Sequence, residues 1–375
     1  MRVCLLTPVL DAFKGGNHLP LLAALPDVQF TIVTSRMKPR NAVLPSNVRC
    51  EVIPGRLGPY YYGCVDWLFG RAVLRRYPAG HPFWKNFDVI HLNQTMGPAL
   101  LKLKKTGVPV CLLIHHPVSA DLDVALQESS LLRGLLWRLK YFLLRRWQAR
   151  LCHEFPVATV SKTAAARIAS DYGIHAHAIR IVENGVDTAF FTPKDLSSSE
   201  FDAIAIGAFI HPRKGFRYLV DVYRELGKSG LRIADVGRRS AEQQAELAAI
   251  PNVRIFGNVP QEELLSLLQR SSVLLSTSLY EGFGLSLIEA LACGRPAFAF
   301  DAGAVQEVLA PVDPDFVVPL RDSAELVRRV TAFLDLPPDE RARKGVVYRE
   351  SAARLYPLEK SAQALRDLYT MLGGG

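Results

Sequence analysis

The chain has 375 residues, long enough for two domains that each bury a core. Apolar residues make up 49% and charged residues 22%, close to globular averages, which excludes disordered and fibrous chains. The net charge of +9 is uneven: residues 1–187 carry 23 Lys/Arg against 12 Asp/Glu, and residues 188–375 carry 22 against 24.

No apolar run approaches the roughly 20 residues of a bilayer span. The first apolar run, within MRVCLLTPVL, is too short for a signal peptide and reads as a buried strand. Cys4, Cys50, Cys64, Cys111, Cys152 and Cys293 form no Cys-x-x-Cys, so they are expected to be small core hydrophobes in a reducing, cytoplasmic setting.

In the first half, strands are predicted at 2–8, 28–35, 48–54, 88–94, 108–116, 155–161 and 179–185. Most are apolar throughout, as expected of parallel strands covered on both faces. Helices are predicted at 17–25, 97–106, 131–151 and 162–172. The stretch 36–87 is expected to be irregular, with an aromatic cluster of Tyr60, Tyr61, Tyr62, Trp67, Phe69, Phe83, Trp84 and Phe87. Residues 187–200 carry a Pro and three Ser without periodicity, which suits a linker.

Alternation then restarts, with strands at 201–209, 231–237, 253–259, 272–278, 296–300 and 316–320. Helices are predicted at 215–228, 240–249, 261–270, 284–293, 322–335, 338–353 and 357–372. The chain is therefore read as α/β, with two facing Rossmann-like domains built on doubly wound parallel sheets. Their expected bounds are 1–187 and 188–356, the last helix packing back on the first domain. Ligands of such sheets bind at the carboxyl ends of the strands, so an interdomain cleft is expected.

The most informative segment is STSLYEGFGLSLIEALACGRPAFAF, residues 276–300. A buried strand ends at Ser278, and Gly282 and Gly284 free the backbone to present N–H groups. A helix starting near Leu285 adds about half a positive charge at its N-terminus. Such an arrangement suits a phosphate. A carboxylate beside phosphate is repelled, so Glu281 and Glu289 are read as acceptors for hydroxyls on either side of it. A second segment, GAFIHPRKGF, ends a strand and opens a helix with Arg213 and Lys214, two cations able to neutralise a diphosphate. Lys14-Gly15-Gly16 follows the first strand as a further anion-holding turn, though no G-x-G-x-x-G is present. The triplets Asp121/Asp123 and Asp313/Asp315 are read as accidental, with no metal expected.

These blocks, with Asn184-Gly185-Val186-Asp187 and Phe191-Thr192-Pro193, resemble the retaining, nucleotide-sugar-dependent glycosyltransferases of family 4, group 1, with the GT-B fold. Glu281 and Glu289, seven residues between them, match that family's E-x7-E motif. The resemblance implies that Glu281 contacts donor-sugar hydroxyls and Glu289 the nucleotide ribose. It implies that Lys214 binds the diphosphate, assisted by backbone N–H groups of Phe283, Gly284 and Leu285 and by the Gly15-Gly16 loop; Arg213 and Gly282 are expected to complete the donor-binding set. His115 matches the acceptor-side histidine, with His116 as a one-residue alternative, and Asn258-Val259 lies near the base. The family has an Arg directly after the glycine that ends the first strand of the second domain. Here Gly207 is followed by Ala208, and Arg213 or His211 is expected to compensate.

Residues 131–151 carry six Lys/Arg and no acid. One reading is an ordinary helix with solvated arginines. The other is docking to an anionic membrane surface, with Trp137, Tyr141, Phe142 and Trp147 as anchors. The function so implied is transfer of a sugar, with retention, from a nucleotide diphosphate to a saccharide or lipid acceptor hydroxyl. Neither metal, further cofactor nor nucleic acid is expected, and the location is cytoplasmic and peripheral at the inner face of the membrane. A nucleotide-sugar epimerase on the same scaffold, or a degenerate sugar- or lipid-binding subunit favoured by Ala208, are the rivals.

Overall fold

The computed structural model describes residues 1–11, 19–38, 43–54, 64–194 and 199–374. The chain divides into two compact units, Met1–Glu183 with Leu358–Gly375, and Asn184–Pro357.

The first unit contains β1 (Arg2–Leu6), β2 (Val9–Asp11), α1 (Leu19–Ala23), β3 (Gln29–Thr34), β4 (Arg36–Lys38), β5 (Val48–Val52) and α2 (Cys64–Arg76). It continues with β6 (Val89–Asn93), β7 (Val110–Ile114), α3 (Val118–Gln127), α4 (Leu131–Glu154), β8 (Val157–Thr159), α5 (Lys162–Tyr172) and β9 (Arg180–Ile181). Among the described residues its main sheet is seven-stranded, in the order β5-β3-β1-β6-β7-β8-β9. Every pairing in it is parallel. All five residues of β6 and of β7 are buried. Side chains of β1 alternate between two cores: Cys4 and Leu6 join Phe69, Val73, Leu144 and Ile168 on one face, while Val3 and Leu5 join Leu21, Leu22 and Leu25 on the other. Covering both faces is what makes these strands read as continuous apolar runs.

Helix α2 lies in the stretch expected to be irregular. Val65, Phe69 and Val73 recur at four-residue spacing on its buried side, and Arg71, Arg75 and Arg76 interrupt the apolar pattern in the sequence. Helix α3 was also not anticipated; it starts directly after Pro117. Residues Pro98–Thr106 form a 3-10 helix rather than an α-helix. Leu100 and Leu103 are its buried residues, and a spacing of three fits the 3-10 repeat.

Helix α4 corrects the expected anchors. Tyr141 is buried, and Trp137 and Trp147 are partly buried against the core. The outward face instead carries Leu132, Leu135, Leu136, Leu139, Phe142 and Leu143, all exposed. Of the four expected aromatic anchors, Phe142 alone is exposed.

The second unit contains β10 (Phe201–Ile206), α6 (Phe216–Lys228), β11 (Ile233–Val236), α7 (Ala241–Ala248), β12 (Val253–Gly257), α8 (Gln261–Gln269) and β13 (Ser271–Ser276). It ends with α9 (Leu285–Ala292), β14 (Ala297–Phe300), α10 (Val305–Leu309), β15 (Val317–Val318), α11 (Ser323–Leu334) and α12 (Pro338–Leu355). Its sheet order is β12-β11-β10-β13-β14-β15, again all parallel. The strands β10 and β13 are therefore neighbours, and the loops that leave their carboxyl ends must meet. In the stretch read as a linker, the Asp187 carboxylate accepts from the N–H groups of Ala189 and Phe190, both at 3.0 Å. Phe191 behind this turn is buried, so the described part of the stretch is folded into the second unit.

The last helix, α13 (Leu358–Gly373), belongs to the first unit. Its Leu365, Leu368 and Tyr369 complete the core around Val3 and Leu5, and the Tyr369 hydroxyl lies 2.6 Å from Nδ1 of buried His91 on β6.

Candidate functional site

After β10 the chain turns through Gly207-Ala208-Phe209-Ile210 into a 3-10 helix at Pro212–Lys214, started by His211, whose ring nitrogen accepts from Arg213 N–H at 3.2 Å. Gly215 follows with φ +65°. A Cβ at this position would sit 2.1 Å from the Thr277 carbonyl oxygen, so only glycine fits. The Thr277 hydroxyl donates to the carbonyls of Lys214 and Gly215, each at 3.2 Å, and Leu279 N–H donates to the Arg213 carbonyl at 2.7 Å. The turns after β10 and β13 are thus one backbone-locked unit.

That locking brings side chains 67 residues apart in the chain together. Lys214 Nζ pairs with Glu281 Oε1. Arg213 Nη1 lies 3.6 Å from Glu281 Oε2 and donates to the Tyr280 carbonyl at 3.1 Å. Burial alone would push the Glu281 carboxyl up. The Lys214 ammonium, the Arg213 guanidinium and hydrogen bonds from Lys214 and Ser278 override it and hold the pKa at about 2. Glu281 is therefore a permanent carboxylate with an ammonium on it.

Beyond Glu281 the loop is fastened from the other side. Ala304 N–H donates to the Glu281 carbonyl at 2.9 Å, and a Cβ on Gly303 would lie 2.3 Å from that same oxygen. The chain passes through Gly282 and buried Phe283, whose ring meets Tyr356 edge-on at 5.8 Å. At Gly284, φ is +99° and α9 begins with no side-chain cap and no acid in its first turn. Leu287 N–H donates to the Gly284 carbonyl at 3.0 Å, and among the described residues the N–H groups of Leu285 and Ser286, with the positive end of the dipole, are left for an anion.

Glu289 lies one turn into α9, on the same partly exposed face as Leu285 and Ser286. Its side chain makes no hydrogen bond among the described residues, and burial pushes its carboxyl up to about 7. A raised carboxyl pKa means the fold prefers the neutral acid. Its contribution to stability is therefore fully present below pH 4.5 and declines as pH rises toward 7. Glu289→Gln is expected to melt higher than wild type at pH 8, with the difference shrinking toward pH 5. Parallel melting curves for the two proteins across that range would contradict this.

The other expected residues are placed as follows. Gly15 and Gly16 lie outside the described residues. Asn258 and Val259 follow β12 directly, Asn258 exposed and Val259 partly so. His115 directly follows β7 in the first unit, with its Nε2 2.8 Å from Asn93 Oδ1 and its N–H on Gln94 Oε1 at 2.6 Å. His116 is engaged differently: its Nε2 is 3.1 Å from Asp121 Oδ2. Asp121 and Asp123 diverge, the second pairing with Arg167, and Asp313 caps the 3-10 turn at Pro314–Phe316.

Ala208 is exposed, but its neighbours reveal a pair that sequence reasoning passed over. Asp235 on β11 and Arg239 just beyond it form a fully buried ion pair. Arg239 donates to the Gly207 carbonyl at 2.6 Å and to the Arg238 carbonyl at 3.0 Å, with its guanidinium 4.3 Å from the centre of the Phe209 ring. Two adjacent arginines closing a buried strand, in DVGRRS, were the available signal.

Comparison with known proteins gives the family and the fold. The family model for glycosyl transferases group 1 matches residues 200–335, and that for glycosyltransferase family 4 matches residues 22–190. The chain is 31% identical to an MMP alpha-(1->4)-mannosyltransferase of Mycolicibacterium hassiacum over 299 residues, 76% of this chain and 70% of the relative. It is 27% identical to a phosphatidyl-myo-inositol mannosyltransferase of Mycolicibacterium smegmatis, covering 100% of this chain and 95% of the relative. Among solved structures, a sucrose-phosphate synthase from Thermosynechococcus elongatus superposes with a TM-score of 0.76 at 19% identity, over 100% of this chain and 99% of the other. The glycosyltransferase WaaG does so with 0.73 at 15%, over 100% of both chains. The fold is GT-B, and the chain belongs to the family 4, group 1 glycosyltransferases.

Proposed function

We propose that this glycosyltransferase moves a hexosyl group, with retention, from a nucleotide diphosphate sugar to an acceptor hydroxyl, without a metal ion. The observation that carries the reading is the Lys214–Glu281–Arg213 cluster locked beside the uncapped N-terminus of α9. Expelling the nucleotide diphosphate leaves negative charge on the oxygen that breaks from the anomeric carbon. Lys214, Arg213 and the α9 amides provide preorganised positive groups there, so no Lewis acid is required. Lys214 has three N–H donors, enough to keep Glu281 and reach a phosphate oxygen at once. Glu281 keeps acceptor sites for donor-sugar hydroxyls, and Glu289 for the ribose. The acceptor oxygen bonds to the anomeric carbon on the face the phosphate leaves. Its proton passes to the departing phosphate oxygen, so configuration is retained. His115 is assigned to the acceptor side.

The names of the two mannosyltransferase relatives favour a mannosyl donor, and one of them names a phosphatidylinositol acceptor. A lipid-linked acceptor at an anionic bilayer is supported by α4. Its outward leucines are interspersed with Arg138, Arg145 and Arg146, all exposed, and α4 carries no acid before Glu154. Apolar insertion with cationic flanks suits anionic headgroups. Burying one leucine is worth about 1.5–3 kcal/mol. Leu135→Asp with Leu139→Asp is therefore expected to lower sedimentation with phosphatidylglycerol vesicles at least tenfold. Unchanged binding would remove α4 as the docking face, and equal binding to phosphatidylcholine vesicles would remove the anionic headgroups.

The reading is tested by incubating the enzyme with UDP-, GDP- and ADP-sugars in the presence of EDTA, with and without lipid extract. Acceptor-dependent nucleotide release with an α-linked product from an α-linked donor is expected. Conversion of the sugar without acceptor would replace it by an epimerase, and an inverted product would remove the retaining mechanism.

A further inference from the structure

The two cations at the β10–β13 turn are partly neutralised before any ligand arrives. Arg213 and Lys214 both face Glu281, so the three groups together carry a single positive charge. A nucleotide diphosphate sugar carries a negative charge on each phosphate. One further cation is needed to match it, and Ala208, at the end of β10, has none.

The sheet order indicates where that cation comes from. β11 lies between β10, whose turn holds Lys214, and β12, whose end carries Asn258-Val259. On the reading proposed above, phosphates rest over the ends of β10 and β13. The end of β11 is the neighbouring strand end on the other side of β10 from β13, within reach of a phosphate held there. That end is held against β10: Gly237 has φ +118°, and a Cβ there would sit 2.2 Å from the Gly207 carbonyl oxygen. Gly237 N–H donates to the Gly257 carbonyl at 2.6 Å, tying it to β12 as well. The buried Arg239 guanidinium binds the carbonyls of both Gly207 and Arg238. Arg238 is thus presented by a rigid backbone at the carboxyl edge of the sheet. Its side chain is exposed and has no ion pair among the described residues.

We infer that Arg238 contacts a phosphate of the nucleotide, supplying from β11 the cation that Ala208 does not supply from β10. Arg239, buried against Asp235, positions it and does not itself reach the ligand. The contact is to phosphate and not to the base or ribose, which fixes its signature.

The test is calorimetric titration of wild type, Arg238→Ala and Arg238→Lys with UDP, GDP and ADP and with the corresponding nucleosides, over a range of salt. For the diphosphate that wild type prefers, Arg238→Ala is expected to weaken binding about tenfold or more and to flatten its salt dependence. Arg238→Lys should recover most of the affinity, and nucleoside binding should not change. Wild-type affinity in Arg238→Ala overturns the assignment while leaving the transferase reading intact. Equal weakening for nucleoside and diphosphate also overturns it, because the contact would then not be to phosphate. Wild type that binds none of the three diphosphates overturns the transferase reading, and this assignment with it.

Discussion

Lys214→Ala is expected to lower kcat by roughly 10²–10³-fold, the usual consequence of removing one preorganised donor from a developing oxyanion. The loss should fall mainly on kcat, because the charge that Lys214 meets grows as the diphosphate departs. Folding should survive: Arg213 stays 3.6 Å from the Glu281 carboxylate and continues to pair with it. Lys214→Arg keeps a positive charge but changes its shape, and should fall between the two. Steady-state kinetics with saturating acceptor separate the parameters. Wild-type turnover in Lys214→Ala would mean the ammonium serves Glu281 alone and the leaving group is stabilised elsewhere.

Asp235→Ala should strongly destabilise the second unit. Both partners of the Asp235–Arg239 pair are fully buried, and the Tyr223 hydroxyl also donates to Asp235 at 3.0 Å. An arginine keeps its proton in a protein, so removing the carboxylate strands a charge in the interior. Breaking such a pair costs about 3–5 kcal/mol. Replacing both members, as in Asp235→Leu with Arg239→Met, should recover much of the loss, since no isolated charge remains. Urea unfolding of the three proteins checks this. A loss below about 1 kcal/mol for Asp235→Ala would mean that the Gly207 and Arg238 carbonyls suffice to hold Arg239.

The turn from Tyr280 to Leu285 could be read from the sequence because glycine has a local meaning there. Gly284 is needed for φ +99° ahead of α9, and the uncapped helix start follows from the residue order. The strands were legible for a similar reason: β6 and β7, buried on both faces, leave no polar alternation to misread. What escaped depends on the register of the sheets. The contact of Lys214 with Glu281 exists because β10 pairs with β13, a fact no local pattern contains. Arg239 escaped because an arginine at a strand end looks like a solvated charge until the neighbouring carbonyl of Gly207 is in view. Helix α4 misled in the opposite way. Tyr141, Leu144 and Leu151 point inward while Leu135, Leu139 and Phe142 point outward, so apolar residues lie all round it and no single stripe marks the buried face.

The central claim is that a diphosphate sits at the start of α9 beside Lys214. A crystal structure of the enzyme with the nucleoside diphosphate that most raises its melting temperature tests this directly. Phosphate oxygens within hydrogen-bond reach of the Gly284 and Leu285 amides and of Lys214 Nζ are the predicted result. Density for the diphosphate anywhere else on the protein, with Lys214 still bound only to Glu281, would contradict it.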